Sequence, residues 1–309
     1  MILSVPRRER SPNGRVRGAD MVGFITRFFS RPANGSGKRR RGAEAPGTAA
    51  ERAAAEAAPE TVVPETAAKA EAAAGRAPVL KAFRWGPESG HTVDAIIFLC
   101  HGMGSNGEHI IQIAPQLGAV VKRALFVAPN APNAAEHGGD GRAWFDMRDR
   151  RPAALAVGVR RARVALDALI DAELERVGLP ADAYALAGYS QGAMTALFTG
   201  LRREPGPRAI FCYAGALIAP ETLGEELRNR APVMLAHGLA DTVVPAFYSR
   251  DAERALRAAG VPVQGAYLPG AGHNIDGAGL QAGKRFLRRW LVPEAEETGF
   301  GMRRSLADG

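Results

Sequence analysis

From residue 78 onward, short apolar runs alternate with longer helical patterns, and this alternation restricts the chain to few folds. The run Ala95–Cys100 is apolar at every position, as expected for a strand buried on both faces. Similar short runs are Arg123–Ala128, Ala183–Ala187, Ala209–Ala214, Val233–Ala236 and Gln264–Leu268. The helical patterns among them are Leu155–Val177, Gln191–Arg203, Phe247–Ala259 and Leu280–Leu291. Strands that alternate with helices predict an α/β fold, with a mostly parallel central sheet and helices on both faces.

The first 77 residues have a different composition and predict a disordered leader. Residues 1–41 carry eleven Arg or Lys against two acids, a net charge of +9, whereas the Ala/Glu/Pro-rich residues 42–77 carry −3. With so few large apolar side chains, burial cannot offset the entropy lost on ordering. The predicted organisation is therefore a leader at 1–77, a folded domain at 78–292 and a flexible tail at 293–309.

The net charge of +8 raises the question of nucleic-acid binding, but residues 78–309 carry only +2. A basic tail of this kind is usually a solvated arm, so we expect no specific nucleic-acid partner. The apolar island Met21–Phe29, followed by the basic Lys38–Arg41, is suited to a weak contact with a membrane surface. Met21 could equally be the start codon, in which case residues 1–20 would not belong to the protein.

Both cysteines, Cys100 and Cys212, lie in apolar runs, which predicts buried free thiols and excludes a disulfide framework. No apolar run reaches the eighteen residues or so that a membrane-spanning helix needs. These features favour a reducing compartment. We therefore expect a cytoplasmic protein, with membrane contact that is at most peripheral.

The segment Gly188-Tyr189-Ser190-Gln191-Gly192 follows one apolar run and opens a helical pattern. A GxSxG sequence in this setting places its serine on a tight strand-to-helix turn, where the hydroxyl is exposed and helix amides face developing negative charge. The motif is short enough to arise by chance, and the serine could simply cap the helix. Its position between strand and helix favours Ser190 as the nucleophile of an α/β-hydrolase.

The acid and the base of an α/β-hydrolase follow the nucleophile in that order. Beyond the serine only two histidines occur, His237 and His273, and Asp241 lies between them. Because His273 alone lies beyond this aspartate, we predict Asp241 as the acid and His273 as the base. His237 is expected to hold its own loop. Asp276, three residues after the predicted base, is expected to cap a helix.

The segment HGMGSNG at 101–107 lies between a predicted strand and a helical pattern near Ile110–Val121, and it has two interpretations. Its GxGxxG spacing matches a dinucleotide-binding fingerprint, but the second strand ends in APNAP, without the acid that would bind ribose. The alternative is an oxyanion loop, which pairs one of its backbone N–H groups with the N–H after the nucleophile. By position these amides belong to Met103 and Gln191, and His101 is expected to brace the loop.

Together these segments resemble the phospholipase/carboxylesterase family, which includes the acyl-protein thioesterases. The matching segments are HGMG at 101–104, APNAP at 128–132, GYSQGA at 188–193, HGxxDxVVP at 237–245 and GH at 272–273. The segment WFD at 144–146 resembles the family's Trp-Phe segment beside the acyl groove. Cys100 and Ala193 depart from the usual Leu and Gly without touching the predicted catalytic residues.

The resemblance covers about residues 80–292 and implies an α/β-hydrolase without a large cap domain. It implies a serine hydrolase that cleaves carboxylic esters or thioesters through an acyl-enzyme on Ser190, with no metal and no cofactor. Trp144 and Phe145 would then contact the acyl group, although aromatic residues at such places are often simply core. The implied substrate is an acyl ester or thioester, of open chain length and leaving group.

Other functions remain open from the sequence. Dienelactone hydrolases share the fold but generally carry cysteine where this chain has Ser190, and peptidases of this fold usually bring a propeller or cap domain. A non-catalytic binding module, anchored by the leader, is a third alternative. Dinucleotide binding at 102–107 is the fourth.

Overall fold

The computed structural model describes residues 78–87, 91–136 and 139–292, so the predicted leader, its Met21–Phe29 island and the tail at 293–309 lie outside the described residues. The contacts of the chain divide it into units 1–73 and 74–309, and every described residue belongs to the second. The strands of the main sheet are β1 (Ala82–Trp85), β2 (Ala95–Cys100), β3 (Ala124–Pro129), β6 (Tyr184–Tyr189), β7 (Ala209–Tyr213), β8 (Val233–Gly238) and β9 (Val263–Leu268). A separate two-stranded ribbon pairs β4 (Asn133–Ala134) with β5 (Arg142–Ala143).

The seven-stranded sheet has the order β1-β3-β2-β6-β7-β8-β9. Strand β1 pairs antiparallel with β3, and every other neighbouring pair is parallel. All residues of β2, β3, β6, β7 and β8 are buried, as their apolar sequences predict. The predicted mostly parallel sheet is confirmed. Strand β1 was not predicted, because the four residues AFRW contain an arginine and form no apolar run.

The helices are α1 (Gly107–Ile110), α2 (Ala114–Gly118), α3 (Pro152–Val177), α4 (Gln191–Leu201), α5 (Leu223–Glu226), α6 (Phe247–Ala258) and α7 (Gly277–Leu291). Two 3₁₀ turns lie at Ile111–Ile113 and Pro220–Thr222. The four long predicted helices are confirmed as α3, α4, α6 and α7. The single helix predicted near Ile110–Val121 is wrong, because the chain there is broken into α1, a 3₁₀ turn and α2. Pro115 lies in the first turn of α2 and lacks the N–H that a continuous helix would need.

Two apolar clusters lie on opposite faces of the sheet. One joins the sheet to α3, α4 and α6, through fully buried residues such as Phe98, Leu166 and Leu256. The other joins it to α2 and α7, through Phe126, Leu117 and Leu287 among others. Since truncation of one such leucine to alanine costs about 2–5 kcal/mol, these clusters supply much of the domain's stability. The predicted burial of the two free cysteines is confirmed.

The common direction of the parallel strands determines where catalytic residues can lie close together. The carboxyl ends of β2, β6, β8 and β9 meet at one edge of the sheet, and the segment 101–107, Ser190, Asp241 and His273 follow these four ends in turn. Within the described residues, no insertion between strands is large enough to form a cap domain over this edge. In that same part of the chain no helix is both long and apolar enough to cross a membrane.

Candidate active site

Ser190 occupies a strained turn between β6 and α4, with φ 53° and ψ −120°. The turn lies close to its surroundings, since a Cβ at Gly188 would lie 2.4 Å from the carbonyl oxygen of Gly192. A Cβ at Gly192 would lie 2.1 Å from that of Cys100 at the end of β2. The Ser190 side chain makes no capping hydrogen bond to α4, so the alternative of an ordinary helix cap is not supported. Backbone strain of this kind persists where packing enforces it, often at functional sites.

A continuous series of hydrogen-bond distances joins Asp241, His273 and Ser190. The Nδ1 atom of His273 lies 2.7 Å from Oδ2 of Asp241. Its Nε2 atom lies 3.0 Å from Oγ of Ser190. The three residues are separated by as many as 83 positions in sequence, and the structure brings them together at the edge of the sheet. In this arrangement an imidazole can take a proton from the hydroxyl while the carboxylate orients it.

The carboxylate of Asp241 is buried and saturated with donors. Its Oδ1 accepts from the backbone N–H groups of Val243 and Val244, both at 2.9 Å. Its Oδ2 lies 3.2 Å from Nε2 of His237 as well as close to His273. Burial by itself would raise the pKa of Asp241, but hydrogen bonds from His237 and His273 outweigh it and hold that pKa well below the usual carboxyl range. Asp241 is therefore charged at neutral pH.

The histidine at the end of β8 holds its loop, as predicted, and also reaches the acid. His237 is fully buried, with Nε2 at 2.7 Å from the carbonyl oxygen of Val244 and Nδ1 at 2.6 Å from Oγ of Ser249. Its contact with Asp241 was not predicted, although their separation of four residues was visible in the sequence. The predicted capping role of Asp276 is confirmed, since its Oδ1 accepts from the N–H of Gly279 at 2.7 Å.

Tyr189, next to the serine, supports the histidine loop. Its hydroxyl donates to the carbonyl oxygen of His273 at 2.7 Å, and the two rings lie 5.2 Å apart between centroids. The loops that carry Asp241 and His273 also contact each other closely, because a Cβ at Gly238 would lie 2.3 Å from the carbonyl oxygen of Ala271. No local sequence pattern signals the tyrosine contact, since it joins residues 84 positions apart.

The two amides predicted as oxyanion donors belong to the residue after the serine and to a segment that contacts the serine. A Cβ at Gly102 would lie 3.4 Å from Cβ of Ser190, so the segment 101–107 contacts the strained turn directly. Among the described residues, neither the N–H of Met103 nor that of Gln191 has a hydrogen-bond acceptor. Two unsatisfied N–H groups near a serine hydroxyl can stabilise an oxyanion that forms there.

Trp144 and Phe145 are buried, with 1 % and 2 % of their surfaces exposed. The side chain of Gln191 accepts from the Trp144 N–H at 2.8 Å and donates to the Phe145 carbonyl at 2.7 Å. The indole N–H of Trp144 donates to the carbonyl of His101 at 2.9 Å. Through these bonds the aromatic pair connects the segment 101–107 to α4. No pattern in the sequence indicates this role. Contact with an acyl group stays a prediction.

Two amides at the start of α1, where the glycine-rich segment 101–107 ends, already donate to side chains. The N–H of Gly107 donates to Oδ1 of Asn130 at 2.8 Å, and that of His109 to Oδ1 of Asn106 at 3.0 Å. A dinucleotide site needs such amides free, so the fingerprint is not supported. Nor do the described residues group three His, Cys, Asp or Glu side chains as a metal site would require.

The mostly parallel sheet, the strained serine turn and the order of acid and histidine along the chain define an α/β-hydrolase. Residues 87–291 match the model of the family described as Phospholipase/Carboxylesterase. Acyl-protein thioesterase 1 of Neurospora crassa is 27% identical over 221 residues, which cover 66% of this chain and 90% of that protein. Esterase YpfH of Escherichia coli K12 is 29% identical over 209 residues, covering 64% and 84%. The crystal structure of esterase PE8 is similar with a TM-score of 0.66 and 34% identity, covering 69% of this chain and 100% of that one.

The chain therefore belongs to the phospholipase/carboxylesterase family of α/β-hydrolases. Its relatives are thioesterases, carboxylesterases and esterases, and the protein is a serine ester hydrolase.

Proposed function

We propose that the protein hydrolyses acyl esters or thioesters through a covalent acyl-enzyme on Ser190. The observation that carries this proposal is the continuous series from Asp241 through His273 to Ser190, with distances of 2.7 Å and 3.0 Å. A serine hydroxyl is a weak nucleophile by itself and needs an adjacent base to act at neutral pH. His273 is positioned to be that base.

In the first half of the reaction, Oγ of Ser190 bonds to the acyl carbon while its proton passes to Nε2 of His273. The carbonyl oxygen becomes an oxyanion, which the N–H groups of Met103 and Gln191 stabilise. Collapse of this intermediate breaks the bond to the leaving group, and His273 returns the proton to the departing alcohol or thiol. The product of this half is the ester of Ser190.

In the second half, water replaces the alcohol or thiol. His273 takes a proton from water, the resulting hydroxide bonds to the acyl carbon, and the same two amides stabilise the second oxyanion. The free acid leaves and Ser190 recovers its proton from the imidazolium. Throughout, Asp241 remains a carboxylate that orients His273 and stabilises its charged form, as its three hydrogen bonds and the nearby ring of His237 allow.

We place the acyl group near Trp144 and Phe145, because both backbones are bonded to Gln191, the residue after the nucleophile. One relative is named an acyl-protein thioesterase and another an esterase, so oxygen and sulfur leaving groups both belong in the tests. We also propose a cytoplasmic location with weak membrane contact through residues 1–41, whose net charge is +9.

The test combines a probe with a substitution. A fluorophosphonate should label the wild-type protein on Ser190, and Ser190→Ala should lose both labelling and turnover of a short p-nitrophenyl ester. Ser305→Ala, outside the residues that match the family, is the control and should retain both. A panel of acyl esters and thioesters graded by chain length then defines the substrate. Labelling of another residue, or full turnover by Ser190→Ala, would contradict the proposal.

A further inference from the structure

We propose that His101 is a positioning residue for the oxyanion site. Its ring holds the carbonyl of Gly102, and the same peptide plane then directs the N–H of Met103 toward the acyl oxygen. The inference rests on the proposed function, since it needs that N–H to be an oxyanion donor. It assigns a specific task to a histidine that contacts neither the nucleophile nor the base.

The hydrogen bonds of His101 determine which of its nitrogens carries the proton. The backbone N–H of Ala131 lies 3.0 Å from Nε2 and can only donate, so Nε2 is an acceptor without a hydrogen. The proton of the neutral ring is therefore on Nδ1, which lies 2.7 Å from the carbonyl oxygen of Gly102. The ring is fully buried, and this burial lowers the pKa of His101 to about 4, so it is neutral at neutral pH.

When the C=O of a peptide group is held in place, the direction of the N–H in the same group is fixed as well. In a trans peptide the C=O and the N–H point in opposite directions, so a fixed Gly102 carbonyl gives the Met103 N–H a fixed direction. That carbonyl is held twice, by Nδ1 of His101 and by the N–H of Ser105 at 3.1 Å. The plane lies against the nucleophile, since a Cβ at Gly102 would lie 3.4 Å from Cβ of Ser190.

His101 is itself braced on its other sides. Its own carbonyl accepts from the indole of Trp144 at 2.9 Å, and the two rings lie 5.8 Å apart between centroids. The carbonyl of Ala131, whose N–H fixes the tautomer, accepts from Nε of Arg142 at 2.9 Å. A neutral imidazole suits this place because one rigid ring supplies both an acceptor for Ala131 and a donor for Gly102.

Two substitutions separate the donor from the acceptor. In His101→Asn the amide nitrogen is as many bonds from Cβ as Nδ1 and can still donate to Gly102. In His101→Gln the amide oxygen matches Nε2 and can accept from Ala131, but the amide nitrogen is one bond farther from Cβ than Nδ1 and does not take its place beside Gly102. We expect His101→Asn to keep kcat within about fivefold of wild type. His101→Gln should lower kcat by about 10²–10³-fold, the loss found when one oxyanion donor is removed, with little change in KM.

A thionoester substrate shows whether the loss arises at the oxyanion. Sulfur accepts hydrogen bonds weakly, so wild type should prefer an ester over the matching thionoester, and His101→Gln should reduce that preference. Equal kcat for the two variants, or a His101→Gln loss with an unchanged ester preference, would overturn the inference. Fluorophosphonate labelling of the wild-type protein distinguishes failure of the proposed function from failure of the inference about His101. If the wild type is not labelled, the proposed function is wrong. If it is labelled, a failed test concerns His101 alone.

If neither variant folds, a measurement on the wild-type protein still tests the inference. With ¹⁵N-labelled histidine, we expect NMR to show His101 protonated on Nδ1 and not on Nε2, from pH 8 to pH 5. A neutral ring protonated on Nε2 would leave the Gly102 carbonyl without its donor from His101, and a ring that titrates in this range could not remain an acceptor for Ala131. Either result would overturn the inference.

Discussion

At the scale of single residues, the acid is the most sharply defined part of the site. Asp241→Asn exchanges an acceptor-only carboxylate for an amide that must direct N–H groups toward other donors. The amide can no longer hold the His273 tautomer or stabilise its charged form, so we expect kcat to fall by about 10³–10⁴-fold. Turnover of a p-nitrophenyl ester measures this fall. Asp251→Asn, an exposed change on α6, is the matched control and should retain wild-type turnover. A loss below tenfold in Asp241→Asn would contradict the role.

His101 makes the stability of the fold depend on pH on the acid side. Its pKa is about 4 in the folded protein, because burial disfavours the charged ring, against an ordinary value of 6.5. At pH values between these two pKa values, His101 is protonated in the unfolded chain and neutral in the folded protein. The free energy of unfolding therefore falls as the pH drops from 6.5 toward 4. Urea unfolding at several pH values measures the fall for wild type and for His101→Asn, which does not titrate. We expect the variant to lose less stability over this range, and an identical loss in both would contradict the assignment.

At the scale of elements, the turn between β6 and α4 depends on the absence of side chains. Gly192→Ala would place a Cβ 2.1 Å from the carbonyl oxygen of Cys100, and this backbone atom belongs to a buried central strand. We expect a loss of at least about 1–3 kcal/mol in the free energy of unfolding, as for other overpacked positions. Thermal and urea unfolding measure it. Gly224→Ala is the control, because a Cβ there meets nothing within 4 Å, and it should not destabilise.

A partly exposed ion network around the buried Arg202 connects three helices. The guanidinium of Arg202, just after α4, is 1% exposed and pairs with Glu226 of α5 at 2.5 Å. Arg160 of α3 pairs with the same carboxylate at 2.6 Å. Burial would raise the pKa of Glu226, but bonds from Arg160, Thr222 and Arg202 hold it at about 2. The network thus stabilises the fold above the ordinary carboxyl value of 4.5, and this contribution is lost as the pH falls toward 2.

Glu226→Gln leaves the buried Arg202 without a compensating charge, and we expect a loss of about 1–3 kcal/mol in the free energy of unfolding at pH 7. The difference from wild type should shrink below pH 4.5, as Glu226 itself takes up a proton. Urea unfolding at pH 7 and pH 3 checks both statements. Glu225→Gln, an exposed neighbour, should match wild type at pH 7, and an equal effect of the two substitutions would argue against the network.

The elements that could be predicted from the sequence are those that a short run of neighbouring residues indicates. Strand β2 was predicted to the residue, because six consecutive apolar positions between polar ones are too few for a helix and favour a buried strand. The predicted catalytic residues follow strand ends, so chain order and topology located them together. Strand β1 and the break between α1 and α2 depend on pairing and on one proline. The contacts of Tyr189 with His273 and of Trp144 with His101 join distant residues, and no local pattern records them.

At the scale of the whole molecule, charge and chemistry occupy different parts of the chain. The residues that match the family lie at 87–291, whereas the net charge of +9 lies in residues 1–41. None of the residues assigned to the reaction or to positioning its groups precedes His101. We therefore expect deletion of residues 1–77 to leave turnover of a short, water-soluble ester within about twofold of the full chain. A larger loss in the folded, truncated protein would contradict the view that the leader is dispensable for the chemistry.

The same deletion tests the proposed membrane contact. Each Lys or Arg near an anionic bilayer contributes about 1 kcal/mol of attraction, which salt screens within a Debye length of about 8–10 Å. We expect the full chain to co-sediment with vesicles rich in phosphatidylserine, to release them as salt is raised, and not to bind phosphatidylcholine vesicles. The truncated protein should stay in the supernatant throughout.

Substituting Phe24, Phe28 and Phe29 by Ser in the full chain separates the apolar contribution to membrane binding from the contribution of charge. Weaker binding with an unchanged salt dependence would assign part of the contact to the island Met21–Phe29. Equal binding of the full and truncated proteins would exclude the leader as the membrane contact.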